Sequence, residues 1–281
     1  LMVAVDATCS GLQILAGMAA DKSTAELVNV VPSAKPSDAY KAVADKAKEF
    51  LPDYMHPWMN RSVCKRTVMT IPYNATKDSS RKYIREALLE KGINPTKDEL
   101  TQVVNAIYSS MDSIVPGPMN VMRWIKKHVG LYIRNGAKEV EWVTPSGFVV
   151  NQKRDDIETQ QMELQLLGRT SVRIPTGRST PSPLKHKSST APNYIHSFDA
   201  SILHRSFNQF NEPFTVIHDS VLCRAGDMGT LNRLVRETYT NIFSEKCWLS
   251  EFAETINASE PPPIVGTLDP KVVSNSTYFF C

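Results

Sequence analysis

The chain has 281 residues, of which 42% are hydrophobic and 22% charged, and its formal net charge is +3. That balance belongs to a globular protein of one or two domains with a sizeable core, and it sets aside low-complexity and repeat architectures. No apolar run reaches membrane-spanning length, so no membrane partner is expected. Five cysteines, Cys9, Cys64, Cys223, Cys247 and Cys281, form no Cys-x-x-Cys pair and are odd in number. They point to a reducing compartment and away from a disulfide framework or a zinc site. The first residue is Leu1 rather than methionine, so the chain reads as a fragment or a processed product.

In chain order, Leu1-Met2-Val3-Ala4-Val5 is a short apolar run, expected to form a buried strand that delivers Asp6 at its C-terminal end. Residues 11–20 read as a helix. Pro36-Ser37-Asp38 is a start signal for a second helix over 37–50, stopped by Pro52. Helical spacing returns over 58–69. Pro72 has no N–H to give and clashes with the preceding turn, which puts Tyr73 at a break. A helix over 80–90 is closed by Gly92, and Thr96-Lys97-Asp98-Glu99 is a capping box for a helix ending near Ile114. Pro116-Gly117-Pro118 is expected to break it, with another helix over 119–133. Period two then takes over: Val140, Trp142, Phe148 and Val150, around Pro145-Ser146-Gly147, predict a hairpin. Residues 164–190 read as an extended, hairpin-like excursion bent at Pro175, Gly177, Pro181 and Pro183. Residues 193–207 read as a helix. Residues 214–217 and 221–224 predict a second hairpin with Asp219 at its tip, and 228–243 predict a long helix before the apolar tail Tyr278-Phe279-Phe280-Cys281.

The net charge is too small to prove a nucleic-acid partner, but its distribution is uneven. No acidic residue occurs over 164–198, where Arg169, Arg173, Arg178, Lys185 and Lys187 are found, and residues 61–91 carry eight basic side chains against three acidic ones. Such blocks neutralise phosphates locally even in a nearly balanced chain.

Asp6 lies in Asp6-Ala7-Thr8-Cys9-Ser10-Gly11-Leu12-Gln13, and Asp219 in Ile217-His218-Asp219-Ser220. Brought to one sheet edge, two aspartates can hold two Mg²⁺ ions about 3.5–4 Å apart. Magnesium takes a few carboxylates plus substrate phosphate oxygens rather than a full protein cage. Arg61 and Lys65, four residues apart, share a helix face, with Arg66 about 100° around from Lys65. Such a face cradles a triphosphate. Tyr73, at its helix break, can stack on a ribose or base. His196, in Ala191-Pro192-Asn193-Tyr194-Ile195-His196-Ser197, can read a 2′-hydroxyl. Taken singly these signals are weak: an aspartate in a hairpin is usually a turn former, a basic helix face is usually solvated, and a helix histidine is usually structural. Their conjunction and order carry the weight.

In that order the motifs resemble the palm and fingers of the bacteriophage-type single-subunit DNA-dependent RNA polymerases, the class that includes mitochondrial enzymes. Asp6 to Gln13 is similar to the family's first palm motif, Arg61 to Tyr73 to its fingers motif, and Ile217 to Ser220 to its second palm motif. Residues 142–148 and 191–197 also look like family segments. The resemblance implies an α+β, predominantly helical fold: a right-hand palm with a small antiparallel sheet, over 1–24 and 191–281, and helical fingers over 25–190 that include the excursion at 164–190. It implies DNA-templated RNA synthesis by a two-metal mechanism, with template DNA, nascent RNA and ribonucleoside triphosphates as partners. Asp6, Asp219 and the backbone carbonyl of Ala7 would ligate two Mg²⁺ ions, and Arg61, Lys65 and Arg66 would hold the triphosphate. Lys65 and Tyr73 would complete the catalytic set. Tyr73 and His196 would discriminate ribose, and His218 would lie beside the metals. Arg169, Arg173 and Arg178 would contact DNA from a promoter-reading hairpin.

The chain would then be the C-terminal catalytic part of a longer enzyme, inactive without the N-terminal remainder. Phage-like wording over 61–70 and 217–220 suggests a viral protein in the cytoplasm of an infected bacterial host, rather than an organelle matrix. Two departures stand out: Ala7 follows the first aspartate where the family usually has glycine, and Pro72-Tyr73-Asn74 replaces small-Tyr-Gly. The alternatives are a family A DNA polymerase fragment or an inactive nucleic-acid-binding fragment. Family A follows its first aspartate with a bulky residue and a glutamate and typically reads His-Asp-Glu at the second site, neither of which occurs here.

Overall fold

In the computed structural model, which describes residues 1–164 and 170–281, helices surround small antiparallel sheets, the α+β, predominantly helical class expected. β1 (Met2–Val5) leads through Asp6 into α1 (Ser10–Ala19), all ten of whose residues are buried. A helix apolar on every side belongs at the centre of a fold. α2 (Lys22–Leu27) follows at once because the Asp21 carboxylate accepts from the N–H groups of Ser23 and Thr24.

Polar caps set the next starts in the same way. Asp38 caps α3 (Ala39–Lys48), Asn60 caps α4 (Arg61–Thr70) and Thr76 caps α5 (Lys77–Leu89). The Thr96–Glu99 capping box opens α6 (Lys97–Ile114). α7 (Pro116–Arg134) begins at Pro116 rather than at residue 119, because the first turn of a helix has no N–H partner for a proline to lose. β2 (Val140–Val143) and β3 (Val149–Gln152) form the expected hairpin, burying Val140 and Trp142 and leaving Phe148 exposed beyond the pairing.

The excursion differs from its sequence reading. It is a ribbon of β4 (Asp155–Leu164) and β5 (Thr170–Pro181), and Pro183 starts a helix, α8 (Pro183–Phe207), instead of making a bend. Ser182 caps that helix, so the proline cluster marks its first turn. β4 also carries Asp155, Asp156, Glu158 and Glu163, so the ribbon as a whole is not acid-free. β6 (Phe214–Ile217), β7 (Ser220–Arg224), α9 (Met228–Glu245) and α10 (Trp248–Thr255) complete the chain before its tail.

The strands near the two aspartates form one antiparallel sheet of order β1-β7-β6. β1 is an outer strand, and only Val5 of it is buried. This corrects the expectation of a buried strand: β1 has a neighbour on one side only. The C-terminal tail runs along the other side of Asp6, where Asp6 and Cys281 exchange two backbone hydrogen bonds of 3.1 and 3.0 Å and Phe279 and Phe280 are buried. All five cysteines are free thiols. Among the described residues no helix is long and apolar enough to cross a membrane.

α1 packs against α2, α7 and α8, and the Tyr239 hydroxyl of α9 donates to the Gln13 carbonyl at 2.8 Å. A Cβ on Gly17 would lie 2.7 Å from that hydroxyl and 2.8 Å from the Phe243 ring. Gly17→Ala is therefore expected to overpack the α1–α9 contact and destabilise the chain by about 1–3 kcal/mol. A urea midpoint equal to that of the parent chain would contradict this packing.

Candidate active site

The sheet brings the two carboxylates together. Val5 pairs with Val221, and Ile217 pairs with Ser220 across the turn. Asp6 follows the first pair and Asp219 lies in the two-residue turn that closes the second, so both emerge at one edge. His218, the first turn residue, has φ 58°, as a tight hairpin turn of the kind matching strand twist demands. For a residue with a Cβ that conformation costs roughly 1–2 kcal/mol. Burial raises the Asp6 pKa from its ordinary value and Asp219 raises it further, while the Ala7 N–H, 2.8 Å away, and Lys65 pull it down. Two carboxylates forced together in a partly dry site are a ready seat for a cation. Among the described residues no group of three or more His, Cys, Asp or Glu forms a metal cage. The pair nonetheless fits magnesium, which fills its remaining positions with water and phosphate oxygens.

A cleft of about 590 Å³ opens over these aspartates, lined by Arg61, Lys65, Met69, Thr70 and Tyr73 from α4 and the turn after it and by His196, Asp199 and His218. Ala7 also lines it. Among these residues, Arg61 has its Nε 2.6 Å from Asp38 and its guanidinium over the Tyr40 ring. Lys65 is close enough for its charge to act on Asp6. Arg66 does not line the cleft: it is paired with Glu86 at 2.8 Å and lies over Tyr83, 4.1 Å from the ring centroid. The 100° offset from Lys65 turns it to a different face of α4.

Tyr73 sits where the sequence placed it, in a turn just past α4. Thr70 ends the helix, and its carbonyl accepts from the N–H groups of Tyr73 and Ala75, both at 3.1 Å. Asn74 has φ 63°, a conformation asparagine tolerates better than most residues with a side chain, so the turn forms here without a glycine. Its side chain does more. Pro192, inside α8, has no N–H for the Ser188 carbonyl, and the Asn74 amide donates to that carbonyl at 2.7 Å. The turn is thereby tied to α8, whose His196 stacks on Tyr73 with centroids 4.3 Å apart and an interplanar angle of 15°. Asn74→Gly keeps the backbone conformation but removes this tie, and should lower stability by about 0.5–1.5 kcal/mol. A denaturation curve matching the parent would show that the bond contributes nothing.

Two residues missed by the sequence reading complete the site. Ser10, at the start of α1, has its Oγ 3.0 Å from the Tyr73 hydroxyl, 3.2 Å from Asp199 Oδ2 and 3.4 Å from Asp219 Oδ2. Asp199 lies three residues after His196 and so on the same helix face, a spacing that was available as a signal. Burial, reinforced by Asp219 and Asp6 and opposed by the Ser10 hydrogen bond, pushes the Asp199 pKa up to about 7. The folded chain thus holds a proton that the unfolded chain releases near pH 4. That contribution to stability is complete below about pH 4 and is lost as pH rises through 7. Asp199→Asn, which never charges, should raise the thermal midpoint of the metal-free chain by several degrees at pH 8, with a smaller gain at pH 5. An equal shift at both pH values would remove the buried charge as its cause.

Arg173 and Arg178 are exposed on the ribbon, outside the lining of the cleft, and Arg169 lies outside the described residues. The cleft thus gathers two carboxylates at a sheet edge, a cationic helix and a stacked aromatic. A family model described as DNA-dependent RNA polymerase matches residues 1–261, and the chain belongs to that family. It is 28% identical to the mitochondrial DNA-directed RNA polymerase of Homo sapiens and 26% identical to that of Mus musculus, covering all of this chain and 25% and 26% of theirs. It is 25% identical to the DNA-directed RNA polymerase of Pseudomonas phage phiKMV, covering all of this chain and 37% of the phage protein. The chain thus spans between a quarter and just over a third of the length of these relatives. Mitochondrial and bacteriophage relatives match at similar identity. The match to an RNA polymerase model displaces the family A alternative.

Proposed function

We propose that this chain is the C-terminal, nucleotide-adding part of a longer DNA-directed RNA polymerase, acting on ribonucleoside triphosphates with template DNA and nascent RNA. The observation that carries the reading is the meeting of Asp6 and Asp219 at one sheet edge, with Arg61 and Lys65 across the same cleft. In this reading residues 1–24 and 191–281 are the palm and 25–190 the fingers. Asp6 and Asp219, with the Ala7 carbonyl, would hold two Mg²⁺ ions. Bound there, the ions would activate the 3′-hydroxyl and stabilise the leaving pyrophosphate.

The chain's own residues do the rest. Arg61 and Lys65 grip the triphosphate, and Arg66 joins them only if it leaves Glu86. Tyr73, clamped by His196, faces the sugar, and His218 orients the Asp219 turn. Arg173 and Arg178 offer phosphate contacts from the ribbon. The phage-like motif wording favours a viral enzyme working in the cytoplasm of a bacterial host.

The test uses the complete polymerase, this chain preceded by its N-terminal portion. Asp219→Asn should lower single-nucleotide extension of a primed template by at least about a hundredfold, with template affinity kept within about twofold. Extension at the parent rate would remove Asp219 from the reaction.

A further inference from the structure

We propose that Ser10 and Asp199 are positioning residues that orient the Tyr73 hydroxyl, so that it presents a lone pair to the 2′-hydroxyl of the incoming ribonucleotide. The inference rests on the sugar-facing role given to Tyr73 above and adds what sets the direction of its hydrogen bond.

The argument is an inventory of protons. A serine hydroxyl has one proton and two lone pairs, whereas an ionised carboxylate only accepts. Ser10 Oγ is within reach of two carboxylate oxygens, on Asp199 and Asp219, and of the Tyr73 hydroxyl. Its proton goes to a carboxylate oxygen once Asp199 has given up the proton that burial favours, since an ionised carboxylate cannot donate in return. Tyr73 must then give its own proton to Ser10. The phenolic lone pairs are left facing the cleft, where a sugar O–H can donate to them and a deoxyribose C–H cannot.

The ring that carries this hydroxyl has little freedom. A Cβ on Gly11 would stand 3.0 Å from Tyr73 Cζ and from its hydroxyl, so the ring rests directly on the first turn of α1. His196 stacks on the ring with centroids 4.3 Å apart. With the ring held between two helices, the torsion of the O–H is the remaining variable, and Ser10 sets it. α8 supplies both elements from one face, the stacking His196 and, one turn later, the accepting Asp199.

The complete polymerase is used at pH 8.5, where Asp199 is ionised, and selectivity is read twice. One readout is the ATP-to-dATP ratio of kcat/KM. The other is the ATP-to-dATP ratio of affinities on a primer ended by a 3′-deoxynucleotide, which excludes chemistry. Ser10→Ala should lower both ratios by about tenfold, and Asp199→Ala by a smaller factor because Asp219 remains as acceptor. Ser10→Thr, which keeps the hydroxyl, should retain the parent ratio. Tyr73→Phe should lower the ratios at least as far as Ser10→Ala, and the double variant Ser10→Ala/Tyr73→Phe should fall no further than Tyr73→Phe alone. Unchanged ratios in both Ser10→Ala and Asp199→Ala, or losses that multiply in the double variant, overturn the proposal while leaving the polymerase reading intact. An unchanged ratio in Tyr73→Phe overturns the sugar-facing role itself, and the inference with it.

Discussion

Residues Met2 to Val5 are paired one for one with Arg224 to Val221, and on the opposite side Asp6 exchanges two backbone hydrogen bonds with Cys281. A strand has a side-chain period of two, so a slip of one residue would carry Asp6 to the other face of the sheet. Pairing on one flank and the tail on the other remove that freedom. The backbone thereby holds two carboxylates at one edge of a partly buried site, where burial first and the Asp219 charge second raise the Asp6 pKa. A site arranged in advance against its own repulsion needs no rearrangement when a cation or a developing charge arrives. The rest of the cleft is useful only because this edge is fixed.

α8 supplies the second frame. Its far side is anchored in an aromatic cluster: Tyr194 packs on Trp142, Phe198 and Phe252, and its hydroxyl donates to the Trp248 carbonyl at 3.0 Å. The near side carries His196 and Asp199 into the cleft. Helical periodicity ties the two sides together, so the packing of Tyr194 and Phe198 sets where the imidazole and the carboxylate stand. Pro192 breaks one backbone bond in this helix, and Asn74 takes the freed carbonyl. A local defect in one element thus becomes the joint that holds Tyr73 against another.

Much of this was legible in the sequence wherever local chemistry decides structure. The capping box at Thr96, the break at Pro72 and the hairpin around Asp219 all follow from residues acting on their immediate neighbours. The readings that failed needed information from farther away. α2 is six residues long, too short for periodicity to register, and its only signal is the Asp21 cap. The prolines near residue 183 are compatible with a bend or with a first helical turn, and only the packing of α8 decides. Counting acids from residue 164 began in the middle of the ribbon, where the strand carrying Asp155, Asp156 and Glu158 had already passed. Asp199 has only its spacing from His196 as a sequence signal, because neither its burial nor its approach to Ser10 is visible in one dimension.

The cationic helix shows the same division. Spacing correctly put Arg61 and Lys65 on one face, but spacing cannot reveal that Arg61 is held by Asp38 and Arg66 by Glu86. Exposed ion pairs of this kind contribute about 0–1 kcal/mol, which is little against the charge of a triphosphate entering a cleft lined by Lys65. Arg61 already faces that cleft and needs only to exchange one carboxylate for a phosphate. Arg66 would have to leave both Glu86 and the Tyr83 ring and swing around α4. Under the proposed function, the grip on the nucleotide therefore begins with Arg61 and Lys65, and the placement of Lys65 near Asp6 would align the phosphates with the carboxylate edge.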